Sequence, residues 1–365
     1  MKAAKYIVLF LILIQFVIPY AVPLDAYYKG RVDYQGLFKD NPQNYYPLLH
    51  KIKQEIKRDH LKDYAVIIGD SVAWSSPGPS KDSLAPLMEE LAHGEGKDFR
   101  VFNLAMPSLQ AGDIYTLLLM MDRYGISTDR VLINVRYAGF VKRNPGAAIV
   151  FWLKDDLKMA DRKAFDQALP HLKANGYQES KGWNNVLRSF IENEVYTRIP
   201  MFAYKDAIVK SINETTDRLL NRAVPTDDSI GDIRNWRLHA NLEKYIKTPD
   251  VVNSFNPAPF DMTEQNLQIY FMNKIIQHQQ GTRSLFFLTG LNEGLLGDAV
   301  SDPSYQANMQ AIDRYFAATG IAYTNLQKEI GEEDFADHTH YMPEGYRKLA
   351  ALVLHHMPES LERKE

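Results

Sequence analysis

The sequence predicts an α/β chain built on a parallel sheet of about five strands, with helices on both faces. Three observations predict it. Short, almost wholly apolar runs recur, and most are followed by a stretch with helical spacing. The runs lack the polar alternation of a half-exposed strand, so both faces of the sheet are expected to be covered. Reactive residue types fall just after the runs, and the carboxyl ends of parallel strands are where such sheets gather a site.

The alternation starts at Tyr64–Ile68, a strand candidate that ends in Gly69-Asp70-Ser71. Leu84–Ala92 follows with helical spacing. Phe99–Leu104 is the second strand candidate and Ile114–Tyr124 the second helix, with Gly125 placed to stop it. Arg130–Val135 is the third strand candidate, its interior apolar except for Asn134. From 141 to 258 the pattern lapses into an expected helical insertion, with helix-like stretches at Trp183–Glu194 and Tyr204–Ala223 broken by Pro and Asp. It resumes with a helix over Thr263–Gln279 and a fourth strand at Ser284–Leu288. A helix over Tyr305–Ala318, a short strand at Ala322–Asn325 and a helix over Pro343–His356 complete it. Proline at that last helix's start suits a first turn, where its missing N–H costs nothing. No internal repeat or low-complexity tract is present.

Ahead of the alternation, Lys2 and Lys5 precede the apolar run Tyr6–Val22, in which only Gln15 is strongly polar. As a helix that run reaches about 26 Å, near the lower limit for a bilayer. The expectation is a transmembrane signal-anchor over 1–23, with the N-terminus inside and the remainder extracytoplasmic. Residues 24–60, rich in tyrosine and charge, read as a juxtamembrane stalk with one short helix around Tyr46–Arg58. A cleaved signal peptide, and so a secreted chain, is the alternative, although no pair of small residues marks a good cleavage site. The core domain is then expected over 61–140 and 259–365, split by the insertion at 141–258.

Composition narrows the function. Hydrophobic residues make up 45% of the 365, enough for a full core. The net charge is -3 and the lysines and arginines are dispersed, so no nucleic-acid surface is expected. There is no cysteine, which excludes disulfides, thiolate metal sites and a cysteine nucleophile.

The most specific pattern is Asp337-His338-Thr339-His340, read together with Gly69-Asp70-Ser71. A serine hydroxyl becomes a nucleophile when a neighbouring base takes its proton. His340 can be that base for Ser71, and Asp337 can hold its other ring nitrogen. A developing oxyanion needs donors. The backbone N–H groups of Ser71 and Ser108 are candidates, with Asn103 in the Ser108 loop, and Arg136 or Asn292 can supply a side-chain donor. Each also has a plain structural reading: Ser71 as a turn residue, Asp337 as a helix cap, Asn103 as a loop brace, Arg136 as an ion-pair partner. His338 and His340 beside Asp337 can also ligate zinc, but a firm third ligand is missing, so no metal and no cofactor is expected.

These blocks resemble the GDSL/SGNH hydrolase superfamily. Gly69-Asp70-Ser71 matches its first block, Asn103 to Ser108 loosely its second, and Asp337 with His340, trailed by Pro343-Glu344-Gly345-Tyr346, its last. The resemblance implies a flavodoxin-like three-layer fold, with Ser71 as nucleophile, His340 as base and Asp337 as its partner. The chain departs from the family twice. Ser108 stands where the second block usually has glycine. The third block usually ends its strand in Gly-x-Asn-Asp, whereas here Val131 to Tyr137 ends without an asparagine, leaving Arg136 as the replacement donor. One lost oxyanion donor costs about 10²–10³ in rate.

The apolar N-terminus, altered third block and helical insertion resemble a subset of that superfamily, the SGNH-type proteins of alginate and peptidoglycan O-acetylation and of teichoic-acid D-alanylation. This implies an acyltransferase or esterase that moves acyl groups, acetyl foremost, on an extracytoplasmic polysaccharide, with a membrane-bound O-acyltransferase as partner. The alternative is a non-catalytic scaffold or binding protein of an envelope assembly complex. Trp152, Trp183, Trp236 and Tyr204 suit sugar stacking or partner contact, or equally the insertion's own core.

Overall fold

The computed structural model describes residues 2–141, 147–178, 199–223 and 228–358. One sheet organises them, formed by β1 (Tyr64–Ile68), β2 (Arg100–Asn103), β3 (Val131–Val135), β4 (Leu285–Thr289) and β5 (Ala322–Leu326). The order is β2-β1-β3-β4-β5 and every neighbouring pair is parallel. This is the flavodoxin-like order, in which the direction of sheet growth reverses between β1 and β3. The apolar runs form strands for the expected reason: β3 and β4 are buried along their whole length, and β1 beyond Tyr64. The edge strand β5 is half-buried and covers itself by stacking Tyr323 on Phe316, with ring centroids 4.4 Å apart.

The longer helices are α1 (Lys2–Ala21), α2 (Tyr45–Arg58), α3 (Leu84–Gly94), α4 (Ala111–Tyr124), α5 (Lys154–Ala160), α6 (Arg162–Ala174), α7 (Lys205–Leu219), α8 (Leu267–His278), α9 (Pro303–Ala317) and α10 (Pro343–His356). α3 packs on α10 and α4 packs on α8. Gly125 ends α4 at a φ of 64°, a left-handed conformation that glycine adopts without a Cβ clash. The predicted stretch Trp183–Glu194 lies outside the described residues. α5 and α6 were not legible as separate helices. Asp161 divides them, its side chain accepting from Ala164 N at 2.9 Å to start α6.

Residues 24–58 do not form a stalk. Tyr27, Val32, Phe38, Tyr45, Leu48, Leu49 and Ile52 are buried in the same core as the sheet. Tyrosine makes this possible, because a buried ring can keep its hydroxyl bonded. Tyr28 OH donates to Val101 O at 3.1 Å and accepts from Asn103 N at 2.9 Å, and Tyr45 OH donates to Leu104 O at 2.8 Å. The segment thus covers β2, an edge strand that would otherwise expose unpaired backbone groups.

The transmembrane helix expected at the N-terminus is not supported. α1 forms over the apolar run, but among the described residues no helix is long and apolar enough to cross a membrane. Its end belongs to the domain. Ile18 and Val22 are buried, Lys51 Nζ donates to Pro19 O at 2.9 Å, and Gln15 Oε1 accepts from Met201 N at 2.9 Å. Leu9, Phe10, Leu13, Phe16 and Val17 remain exposed along the same helix.

Candidate active site

The site lies at the carboxyl edge of the sheet, around the reversal between β1 and β3. β1 runs into Gly69-Asp70-Ser71, and the chain turns at once: Trp74 N donates to Asp70 O at 2.8 Å and Ser76 N to Ser71 O at 2.9 Å. Gly69 is required by close approach. A Cβ there would stand 2.6 Å from Asn134 Cβ and 2.7 Å from Ala73 Cβ. After β5, an antiparallel bridge between Phe335 and Tyr341 pinches off a short loop, with Ala336 N donating to His340 O at 2.8 Å. That loop places Asp337 and His340 side by side.

The three residues meet. His340 Nε2 is 2.8 Å from Ser71 Oγ, and His340 Nδ1 is 2.7 Å from Asp337 Oδ2. The other carboxylate oxygen, Asp337 Oδ1, accepts from Thr339 N at 2.8 Å and His340 N at 2.7 Å. The carboxylate therefore grips both the ring and the backbone of the residue it orients.

The electrostatics follow. Burial raises the Asp337 carboxyl, but the charge and hydrogen bond of His340 outweigh burial and hold it well below the usual carboxylate range. Burial works against the His340 imidazolium, yet Asp337, helped by Asp70, raises it above 6.5. His338 moves the other way, lowered by burial, which exceeds the opposing pull of Asp337. The His338 ring packs, partly buried, against Tyr245 and Phe255, with Nδ1 3.7 Å from Asp337 Oδ1. Among the described residues no cluster of His, Asp and Glu is placed to hold a metal.

The expected oxyanion groups divide. Among the described residues the N–H groups of Ser71 and Ser108 have no intramolecular acceptor. Ser108 has φ 67°, the left-handed region, so it takes a glycine-like backbone where a side chain is ordinarily disfavoured. Asn103 and Asn292 are braces. Asn103 Nδ2 donates to Ala73 O at 2.7 Å and its Oδ1 accepts from Ala105 N at 3.0 Å, tying the Ser108 loop to the Ser71 turn. Asn292 Nδ2 donates to Asp337 O at 3.1 Å and Asn292 N to His338 O at 3.1 Å, fixing the Asp337 loop instead of facing the oxyanion. Arg136 is partly exposed, and its Nε pairs with Asp70 Oδ2.

Several contributors were not singled out from sequence. Asp70 Oδ1 accepts from Val72 N at 2.8 Å, and from the amide of Asn134 at 2.9 Å when that amide is oriented to accept from Thr289 Oγ1. The third-strand asparagine thus braces Asp70 from within β3. Arg31 is 1% exposed, stacks at 3.4 Å over Trp74, and donates from Nη1 to Trp74 O and Ser75 O at 3.1 and 3.0 Å. Burial pulls its guanidinium down to about 10 against the opposing charge of Asp228. Tyr346, from the Pro-Glu-Gly-Tyr trailer, donates to Ser76 O at 2.5 Å. Gly345 beside it allows contact, since a Cβ would meet Asp334 O at 2.7 Å. Of the aromatics, Trp152 Nε1 donates to Pro107 O at 3.0 Å and Trp236 Nε1 to Glu332 O at 2.9 Å, while Tyr204 is buried on His50. Trp183 is outside the described residues.

Asp113 carries the second loop. Its buried carboxylate accepts from Gln110 N at 3.0 Å, Trp152 N at 2.8 Å, Leu153 N at 2.9 Å and Phe151 N at 2.9 Å. Asp113→Ala leaves four N–H groups without an acceptor and is expected to cost about 2–4 kcal/mol. Urea unfolding measures it. A loss under about 0.5 kcal/mol, the level of a surface change, would contradict this bracing role.

No family model matches the chain, and no curated protein is similar to it in sequence. Among solved structures, a lipase/acylhydrolase from Enterococcus faecalis superposes with a TM-score of 0.39 at 12% identity, over 80% of this chain and 94% of that one. An acetyl xylan esterase from the rumen bacterium Butyrivibrio proteoclasticus gives a TM-score of 0.28 at 10% identity, over 80% of this chain and 62% of that one. Both superpositions are too loose to bear on function, and the site stands on its own distances.

Proposed function

We propose that this chain is a serine acyl-transfer enzyme whose acyl-enzyme forms on Ser71. One observation carries the reading: the continuous relay from Ser71 Oγ through His340 to Asp337, at 2.8 and 2.7 Å. His340 takes the hydroxyl proton as Oγ attacks the acyl carbon. The oxygen that becomes negative faces the N–H groups of Ser71 and Ser108. As the tetrahedral species collapses, His340 returns the proton to the departing alcohol. A second alcohol or water then gives its proton to His340 and attacks the ester on Ser71, and the reverse collapse frees the serine.

The finer reading is transfer of an acyl group, acetyl foremost, to a polysaccharide hydroxyl outside the cytoplasm. It rests on the resemblance of the motif set and on the helical insertion. A membrane-bound O-acyltransferase as donor partner belongs to the same proposal. The test is mass spectrometry after brief exposure to p-nitrophenyl acetate. The peptide holding Ser71 is expected to gain one acetyl group. A folded protein that stays unmodified favours the non-catalytic scaffold.

A further inference from the structure

Segment 228–258 of the insertion touches three of the loops around the site. Asp228 Oδ1 accepts from Ser80 N at 2.7 Å, and Ile230 N donates to Pro77 O at 2.8 Å, both just past the Ser71 turn. Trp236 N donates to Phe335 O at 3.1 Å, beside the Asp337 loop. Asn256 O accepts from Tyr137 OH at 3.0 Å, after β3. The segment is therefore a wall along the carboxyl edge of the sheet.

Between Trp236 and Asn256, the short helices Leu242–Tyr245 and Pro249–Ser254 bring two aromatic rings to His338. The Tyr245 and Phe255 centroids lie 5.8 and 5.7 Å from its ring, and the His338 ring is 6.5 Å from that of His340. The two aromatics differ in what they do. Phe255 is buried and packs. Tyr245 is 51% exposed, and its hydroxyl makes no hydrogen bond to a described residue. A ring held open in this way contributes little to the core. It stands one ring away from the base, backed by the His338 imidazole.

We infer that Tyr245, backed by His338, is the acceptor subsite, and that it takes a pyranose ring of a neutral oligosaccharide. This rests on the acyl-transfer reading. The axial C–H groups of a pyranose form an apolar face that fits an exposed aromatic ring, and the free phenol meets a ring hydroxyl. A saccharide lying on Tyr245 directs its neighbouring hydroxyls toward His340, which must take the acceptor's proton. Recognition by stacking tolerates variation along a polymer, because it reads the ring face and not one substituent.

The full chain is tested by its deacylation rate. Acetylate with p-nitrophenyl acetate and follow the steady phase after the burst, with and without cellotetraose or chitotetraose as acceptor probe. The expected result is a saturable, several-fold acceleration by at least one oligosaccharide. Tyr245→Phe should keep most of it, and Tyr245→Ala should lose at least fivefold of the acceleration. The inference is overturned if neither probe accelerates the wild type, or if Tyr245→Ala responds as the wild type does. Absence of the burst itself would instead sink the Ser71 reading.

Discussion

Ser71→Ala and His340→Ala should each lower kcat on an activated acetyl ester by about 10⁵–10⁶, and the double variant should lose no more than either alone. The two side chains act as one unit. Without the imidazole the hydroxyl keeps its proton, and without the hydroxyl the imidazole has nothing to activate. The relay, 2.8 Å from Oγ to Nε2, makes this coupling direct. What remains in the variants is the work of the N–H groups of Ser71 and Ser108, which neither substitution removes. Ser71 is only half-buried, so its loss should leave the melting temperature nearly unchanged. Steady-state kinetics on the two single variants and the double variant decide it. Losses that multiply in the double variant would mean that the residues act independently, and the relay would be wrong.

The parts of the fold that were legible are those in which local pattern and burial agree. Tyr64–Ile68 and Pro343–His356 run as their spacing predicts, because one is apolar on both faces and the other carries a stripe that buries Tyr346, Leu349 and Val353. Asp337 and His340 were legible because their partnership is local, within one pinched loop. Ser71 lies far away in sequence, but a parallel sheet returns every strand end to one edge, and that rule bridged the gap.

What escaped was decided by partners remote in sequence. Arg31 reads as a solvated charge in a polar stretch, yet its acceptors are the carbonyls of Trp74 and Ser75. Tyr28 and Tyr45 read as a stalk because nothing local shows that their hydroxyls end on β2 and the residue after it. Asn103 and Asn292 have the right type and edge for oxyanion donors. Their amides are already engaged by Ala73, Ala105 and Asp337, a matter of orientation that no spacing reveals. Arg136 was legible as an ion-pair partner, but nothing in the spacing names Asp70, the residue before the nucleophile, as its carboxylate.

Asp337→Asn should lower kcat/KM by about 10³–10⁴ and shift its pH dependence to lower pH. The amide oxygen can still serve Thr339 N and His340 N, so the loop should hold. The amide nitrogen would then face His340 Nδ1, and a donor there stabilises the tautomer whose Nε2 carries the proton, which cannot serve as base. Burial alone disfavours the imidazolium, and it is Asp337, with a smaller contribution from Asp70, that raises His340 above 6.5. The base acts when neutral, so wild-type kcat/KM should rise with pH through that raised value. Removing the carboxylate leaves burial and the Arg136 charge opposed by Asp70 alone, and the inflection should fall. Stability runs the opposite way in the same window. A histidine raised on folding contributes stability that is complete below its unfolded value and is lost as pH rises through its folded value. The wild type should therefore melt lower as it becomes more active, while Asp337→Asn should show little of that slope. Profiles of kcat/KM and melting temperature against pH, on both proteins, test the two limbs together. An inflection that stays put in Asp337→Asn would show that another group controls the titration, and His340 would not be the base.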